Sequence, residues 1–185
     1  FMLSIVKSMT LHGLEGFIVD VQVDVAGGLP CWEIVGLPDV SIRESKERVR
    51  TAIKNSGYEF PSRRIVINLA PATIKKVGSA FDLPIAVAIL LATDNINEFD
   101  FENVAFVGEL SLDGNVHSIN GILPMCIEAK KLGIKEIIVP KENAKEASIV
   151  DGISVIPVSS LNQVVAYLNK SIKINPEKFN SNELI

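Results

Sequence analysis

The sequence predicts a mixed α+β domain, with α/β character in its second half. Two observations predict it. The first third of the chain alternates apolar and polar residues at the period of half-exposed antiparallel strands, and the last third alternates short β-branched runs with helical segments, the pattern of a parallel stretch of sheet. Between them, Arg64 to Leu69 is a β-branched run that leads into a polar, glycine-bearing loop and then a nearly uncharged helix. That is a common place for proteins to carry function.

The elements follow in order. Leu3, Ile5, Met9 and Leu11 alternate with Ser4, Ser8 and Thr10, and Val19, Val21, Val23 and Val25 alternate with Asp20, Gln22 and Asp24. Both stretches predict antiparallel strands with one solvated face. The turns are residues 12–16 (HGLEG) and 27–30 (GGLP). Cys31 to Val35 forms a third strand, where Trp32 shares a face with Ile34 and is expected in the core. Ser41 and Glu44 stand at capping-box spacing and open a helix that runs to Ser56, with Gly57 as its stop. Its Val49, Ala52, Ile53 and Ser56 lie on one face, which turns Arg43, Glu47, Arg50 and Lys54 outward, and Glu44 and Arg48 make an i,i+4 pair. Arg64 to Leu69 is a buried strand and Ala70 to Ala80 a loop. Phe81 to Ala92 is a helix with Asp82 and Pro84 in its first turn. After an acidic loop from Asp94 to Glu102, Val104–Val107 and Glu109–Leu112 are short strands and Asp113-Gly114 is a hairpin turn. Ile122 to Leu132 is a helix ended by Gly133. Glu136–Val139 is a strand, Asn143–Val150 a short helix and Ile153–Pro157 a strand. Ser159 or Ser160 caps a last helix reaching about Asn169. Residues 171–185 lose the pattern and read as a linker or fraying tail.

Composition narrows the function classes. The 185 residues suit one domain with a tail, and a hydrophobic fraction of 48% is ample for a core. A net charge of −4 argues against whole-surface attraction to nucleic acid or anionic membrane and leaves room for a local basic patch. Cys31 and Cys126 lack metal-ligand spacing and fit buried thiols of a reduced cytosolic protein. No signal peptide and no apolar run of membrane-spanning length occurs, so a cytoplasmic protein without a membrane partner is expected. Phe1 before Met2 reads as an expression scar, with Met2 as the native start. His12 and His117 have no partner at metal or triad spacing, and no metal site is expected. No GxxxxGK[ST] occurs, and glycines 108, 114 and 121 flank a hairpin rather than open a helix, so no cofactor is expected in this chain.

Three motifs in order, residues 36–53 (GLPDVSIRESKERVRTAI), 68–86 (NLAPATIKKVGSAFDLPIA) and 108–124 (GELSLDGNVHSINGILP), resemble the amino-terminal domain of the magnesium chelatase-related AAA ATPases, the family of the competence protein ComM. The resemblance runs from Met2 to about Lys170. It implies a ribosomal protein S5 domain 2-like fold, as in the Lon proteolytic domain, over residues 2–170. It also implies a linker over 171–185 toward an AAA ATPase module beyond residue 185, which would use ATP and magnesium. Family members are implied to act on DNA in natural transformation as hexameric branch-migration motors, so homo-oligomer partners, the chain's own AAA module and DNA are the expected partners.

The same resemblance places Ser79 on the catalytic serine of Lon, whose base is a lysine. The matching of residues 108–123 puts Leu123 at that lysine position, and leucine takes no proton. Phe81 replaces a small glycine. The expectation is therefore a non-catalytic domain, with a Ser-Lys peptidase using Ser79 and a purely structural oligomerisation domain as the rival readings. Lys75 and Lys76 are the only lysines of the same loop. A second candidate is basic: Arg43, Lys46, Arg48, Arg50, Lys54, Arg63 and Arg64, followed by Lys75 and Lys76, outnumber the acids Glu44, Glu47 and Glu59. Guanidinium and ammonium groups suit phosphate contact. Arg43, Lys46, Arg50, Lys54, Arg63, Arg64, Lys75 and Lys76 are the candidate DNA contacts, against the simpler reading of a solvated helix face.

Overall fold

Val19, Val21, Val23 and Val25 all turn to one side of a seven-stranded sheet, and this row is the floor of the main core. The computed structural model describes residues 3–97 and 99–184. The proposed start at Met2 after Phe1, residue 98 of the acidic loop and the final residue of the tail lie outside the described residues.

The strands are β1 (Leu3–His12), β2 (Glu15–Ala26), β3 (Cys31–Val35), β4 (Arg64–Ala70), β5 (Val104–Phe106), β8 (Glu136–Pro140) and β9 (Ser154–Val158), with β6 (Glu109–Leu110) and β7 (Val116–His117) as a separate hairpin. The helices are α1 (Val40–Asn55), α2 (Asp82–Ala92), α3 (Ile122–Lys131), α4 (Ala144–Ala147) and α5 (Leu161–Leu168). The strand order is β3-β4-β2-β1-β5-β8-β9. β2 runs antiparallel to both β1 and β4, and the remaining neighbours are parallel. The mixed α+β expectation holds, with a mostly parallel sheet flanked by helices.

On the valine side, α2 crosses β1 and β2. It is buried on every side, from Asp82 to Leu90, as a helix that is apolar all round must be. The covering layer is α1, whose Ile42, Val49, Ala52 and Ile53 are buried. Burying isoleucine and valine side chains such as these contributes roughly 1.5–3 kcal/mol each. The opposite face is covered over β1 and its parallel neighbours by α3 and α4, around Met9, Ile137, Val139 and Cys126. Burial pushes the Cys126 thiol up to about 12. Cys31 is only half-buried, so the expectation of two buried thiols holds for one.

Three expectations need correction. In β1 the residues turned toward α2 are Ser4, Val6, Ser8 and Thr10, all buried, while Leu3 and Ile5 are 61% and 43% exposed. The serines tolerate this because their hydroxyls donate to backbone carbonyls, Ser4 Oγ to Ala88 O at 2.6 Å and Ser8 Oγ to Phe106 O at 2.7 Å. The cap of α1 is Asp39, whose Oδ1 accepts from Ile42 N at 2.9 Å, so Ser41 lies inside the helix. After residue 170 the chain has little regular structure, yet Ile174 packs against the core and Glu177 N donates to Val155 O at 2.8 Å. Those residues are therefore fixed along the edge of β9 rather than frayed. At α5 the alternative resolves to Ser160, whose Oγ accepts from Gln163 N.

Candidate functional site: the Ser79 pocket and the basic helix

Segment 71–81 is tied down on three sides. Asp39 uses its second oxygen, Oδ2, to accept from Gly78 N at 3.2 Å, so one carboxylate caps α1 and anchors the loop. Lys76 N donates to Leu37 O and Asp39 N to Lys76 O, which stitches the loop to the end of β3. The Lys76 side chain is fully buried, its Nζ donating to Gly36 O at 2.8 Å and to Pro71 O. Burial pushes the Lys76 ammonium down. Gly36 is required there: its φ is 104° and a Cβ would lie 2.3 Å from Leu69 O. Past the loop, Gly108 N donates to Ala80 O and Leu83 N to Gly108 O, so the strand end after β5 clamps the start of α2.

A pocket of about 320 Å³ opens beside this loop. Its wall includes Val77, Gly78 and Ser79 from the loop, Met9, Thr10 and Leu11 from β1, Glu109 from β6, and Ser118, Ile119 and Asn120 before α3. It sits beyond the carboxyl ends of the parallel strands β1 and β5, where open α/β sheets place ligands. Ser79 is half-buried and faces this pocket without a lysine among its lining residues. Lys76, the lysine three residues before it, is committed to the two carbonyls. Leu123 is half-buried in the first turn of α3 and Phe81 is in the core.

Below the pocket lies a polar cluster that sequence reading missed. Asp82 has no solvent exposure and accepts from Ser45 Oγ at 2.5 Å, Arg48 Nε at 2.7 Å, Arg48 Nη2 at 3.1 Å and Leu110 N at 3.0 Å. Arg48 also donates to Ser41 O at 2.9 Å and lies 3.8 Å from Glu44, the expected i,i+4 partner. Burial pushes the Asp82 carboxyl up, opposed by Arg48, Ser45 and the Leu110 amide, and the hydrogen bond to Asp82 holds Arg48 up. The pair joins α1, α2 and β6 into one unit beneath the Ser79 loop.

The basic residues separate in space. Arg43, Arg50 and Lys54 are exposed on the outer side of α1, as the helical phase predicts. Arg50 stacks over Phe60 at 5.4 Å from the ring centre, and Phe60 meets Trp32 edge-on at 5.5 Å. Lys46 is half-buried, with Nζ 3.3 Å from Trp32 O. Arg64 starts β4, and Arg63 shares a hollow with Thr93 and Asn95 at the far end of α2. Lys75 is exposed on the loop before α2. The eleven residues of α2, about 16 Å at 1.5 Å per residue, separate these ends. Lys76 leaves the candidate surface because it is buried. Among the described residues no three His, Cys, Asp or Glu side chains are grouped to hold a metal ion, and no helix is long and apolar enough to cross a membrane.

Residues 21–143, covering the loop, the polar cluster and the hairpin, match the family described as subunit ChlI of Mg-chelatase. The chain belongs to the ChlI family. Competence protein ComM of Haemophilus influenzae is 37% identical to it over 172 residues, which is 93% of this chain and 34% of that protein. Uncharacterized protein YifB of Escherichia coli is 39% identical over 166 residues, 90% of this chain and 33% of that protein. Lon protease 2 of Bacillus subtilis is 29% identical over 191 residues, 93% of this chain and 33% of that protein. The chain spans about a third of the length of the curated relatives it matches. This ChlI-family chain is thus similar both to Mg-chelatase-related AAA proteins and, more distantly, to Lon proteases, and the Ser79 loop lies within the shared part.

Proposed function

We propose that this chain is a non-catalytic amino-terminal domain of a ComM-type, magnesium chelatase-related AAA ATPase, serving assembly and DNA contact in DNA processing. The observation that carries the reading is the composition of the Ser79 pocket. A serine hydroxyl needs a base within hydrogen-bond reach to attack a carbonyl. Here no lysine lines the pocket, the Glu109 carboxylate in its wall is a far weaker base than a lysine amine, and the neighbouring Lys76 ammonium is already bonded. The name of the Haemophilus influenzae relative supports a role in competence. ATP and magnesium belong to the AAA module that the relatives' greater length leaves room for. The exposed row Arg43, Arg50 and Lys54 on α1, with Lys75, is the surface offered to phosphates or to a neighbouring subunit.

The test has two arms. Casein and peptide substrates should survive incubation with the domain, and Ser79→Ala should change nothing; hydrolysis lost in that variant would restore the peptidase reading. In the full-length protein, changing Arg43, Arg50, Lys54 and Lys75 to alanine should weaken binding to any DNA sequence and flatten its salt dependence, since phosphate contacts release counterions. An unchanged salt slope with altered subunit assembly would leave assembly as the role of α1.

A further inference from the structure

The Ser79 pocket holds one formal charge among its lining residues, the carboxylate of Glu109. Glu109 is half-buried and makes no ion pair of its own among the described residues. Arg48 is near enough to sense it, but the Arg48 guanidinium is bound to Asp82. His117 stands opposite Glu109 across β6 and β7 and forms no ion pair with it. Thr10, 2% exposed, borders the same pocket, and its hydroxyl makes no hydrogen bond to another described residue. The rest of the wall is apolar or neutral: Met9, Leu11, Val77, Ile119 and Met125 beside Ser79, Ser118 and Asn120.

We infer that this pocket binds a protonated primary amine carried on an aliphatic stem, with the ammonium at Glu109 and the stem along Met9, Ile119 and Met125. An ammonium has three donors and no acceptor, which suits a pocket whose wall carries a carboxylate and the side chains of Thr10 and Ser79. A half-buried carboxylate gains more from such a partner than an exposed one, because solvent screens it less. The apolar wall would cover a chain of a few methylenes, and about 320 Å³ is at the small end of ligand pockets. The amine can belong to a free alkylamine or to a lysine side chain of a polypeptide.

The experiment is an NMR titration of the chain with n-butylammonium and with N-acetyl-lysine N-methylamide, using 1-butanol and N-acetyl-norleucine N-methylamide as neutral counterparts. Saturable shifts confined to the amides of Thr10, Gly78, Ser79, Ile119 and Asn120 are expected with the two ammonium probes. Glu109→Gln, which keeps the shape, should weaken them about tenfold or more, as loss of a charge-assisted hydrogen bond implies. Ser118→Trp, placed from an exposed position, should block them. Tighter binding of butylammonium assigns the pocket to free amines, and equal or tighter binding of the lysine derivative assigns it to a polypeptide side chain. Shifts of equal affinity with the neutral probes, shifts unaffected by Glu109→Gln in a folded variant, or no saturable shift would overturn the inference.

Discussion

Asp82 shows how much a single residue can depend on a distant one. It opens α2 in the sequence as an ordinary first-turn acid, and its position there was legible. Its burial was not, because the groups that make it tolerable come from Ser45 and Arg48, 37 and 34 residues earlier, and from the Leu110 amide. Removing one partner of such a pair leaves a buried charge without compensation, at a typical cost of 3–5 kcal/mol. Arg48 keeps about 20% of its side chain exposed, so the lower part of that range applies. Arg48→Met is therefore expected to lower the unfolding free energy by about 3 kcal/mol, measured by urea denaturation. Arg43→Met, on the exposed side of the same helix, should change it by less than about 0.5 kcal/mol. Similar losses in the two variants would show that the Asp82 cluster is not a point of stability. Lys76 carries the same lesson. Beside Lys75 it reads as a second loop cation, and only the fold reveals that two backbone carbonyls take it inside.

At the scale of elements, α1 is set by its start. Asp39 satisfies the Ile42 amide and the Gly78 amide at once. Asp39→Ala should cost about 0.5–2 kcal/mol, the usual range for a lost cap, and should also loosen the Ser79 loop, seen as faster amide exchange at Gly78. Ser41→Ala should be close to neutral; the reverse order of effects would return the cap to Ser41. The sequence signal was ambiguous because Asp39 and Ser41 are both good caps and Glu44 sits three residues after the second. Most other elements were legible where apolar spacing was strong, as in the valines of β2 and the face of α1. The pattern failed in β1, where Ser4 and Ser8 face inward and bond to carbonyls, a partnership that spacing does not record. The candidate site was legible as a loop around Ser79, but Glu109 and Thr10 join it only through the pairing of β1 with β5 and the short run of chain from β5 into β6.

For the molecule as a whole, two carboxyls, the half-buried Glu136 and the buried Asp82, shape the response to acid. The Glu136 carboxyl is pushed up first by burial, while the Tyr167 hydroxyl that donates to it works the other way. Asp82 is pushed up in the same direction. A carboxyl raised in the folded state binds its proton more tightly there, so its contribution to stability is present below the unfolded value and is lost as pH rises through the folded one. These two groups therefore oppose acid unfolding. In a carbon-detected NMR titration, Glu136 should titrate above an ordinary glutamate, and Tyr167→Phe should move its midpoint further up by deleting a bond to the charged form. A midpoint that falls in the variant would contradict this. The far half of the sheet, from β2 through β4 to β3, presents on the side away from α2 a surface of Gln22, Asn68, Asp24 and Arg64, with Asn68 Nδ2 donating to Gln22 Oε1 at 3.0 Å.

The placement of β1 at the middle of the sheet also imposes an order on synthesis. β1 leaves the ribosome before the other described strands of this sheet, and its antiparallel partner β2 follows at once. Its other neighbour, β5, begins 101 residues after β1 begins, and the carbonyl that receives the Ser8 hydroxyl belongs to Phe106. Until that point has emerged, the nascent chain carries a hairpin with one unpaired edge and, before α2 is complete, a bare row of valines. Such edges and apolar rows are what holding chaperones shield on growing chains. The domain becomes self-sufficient only after its central strand has waited for its second neighbour, 101 residues on, to be made.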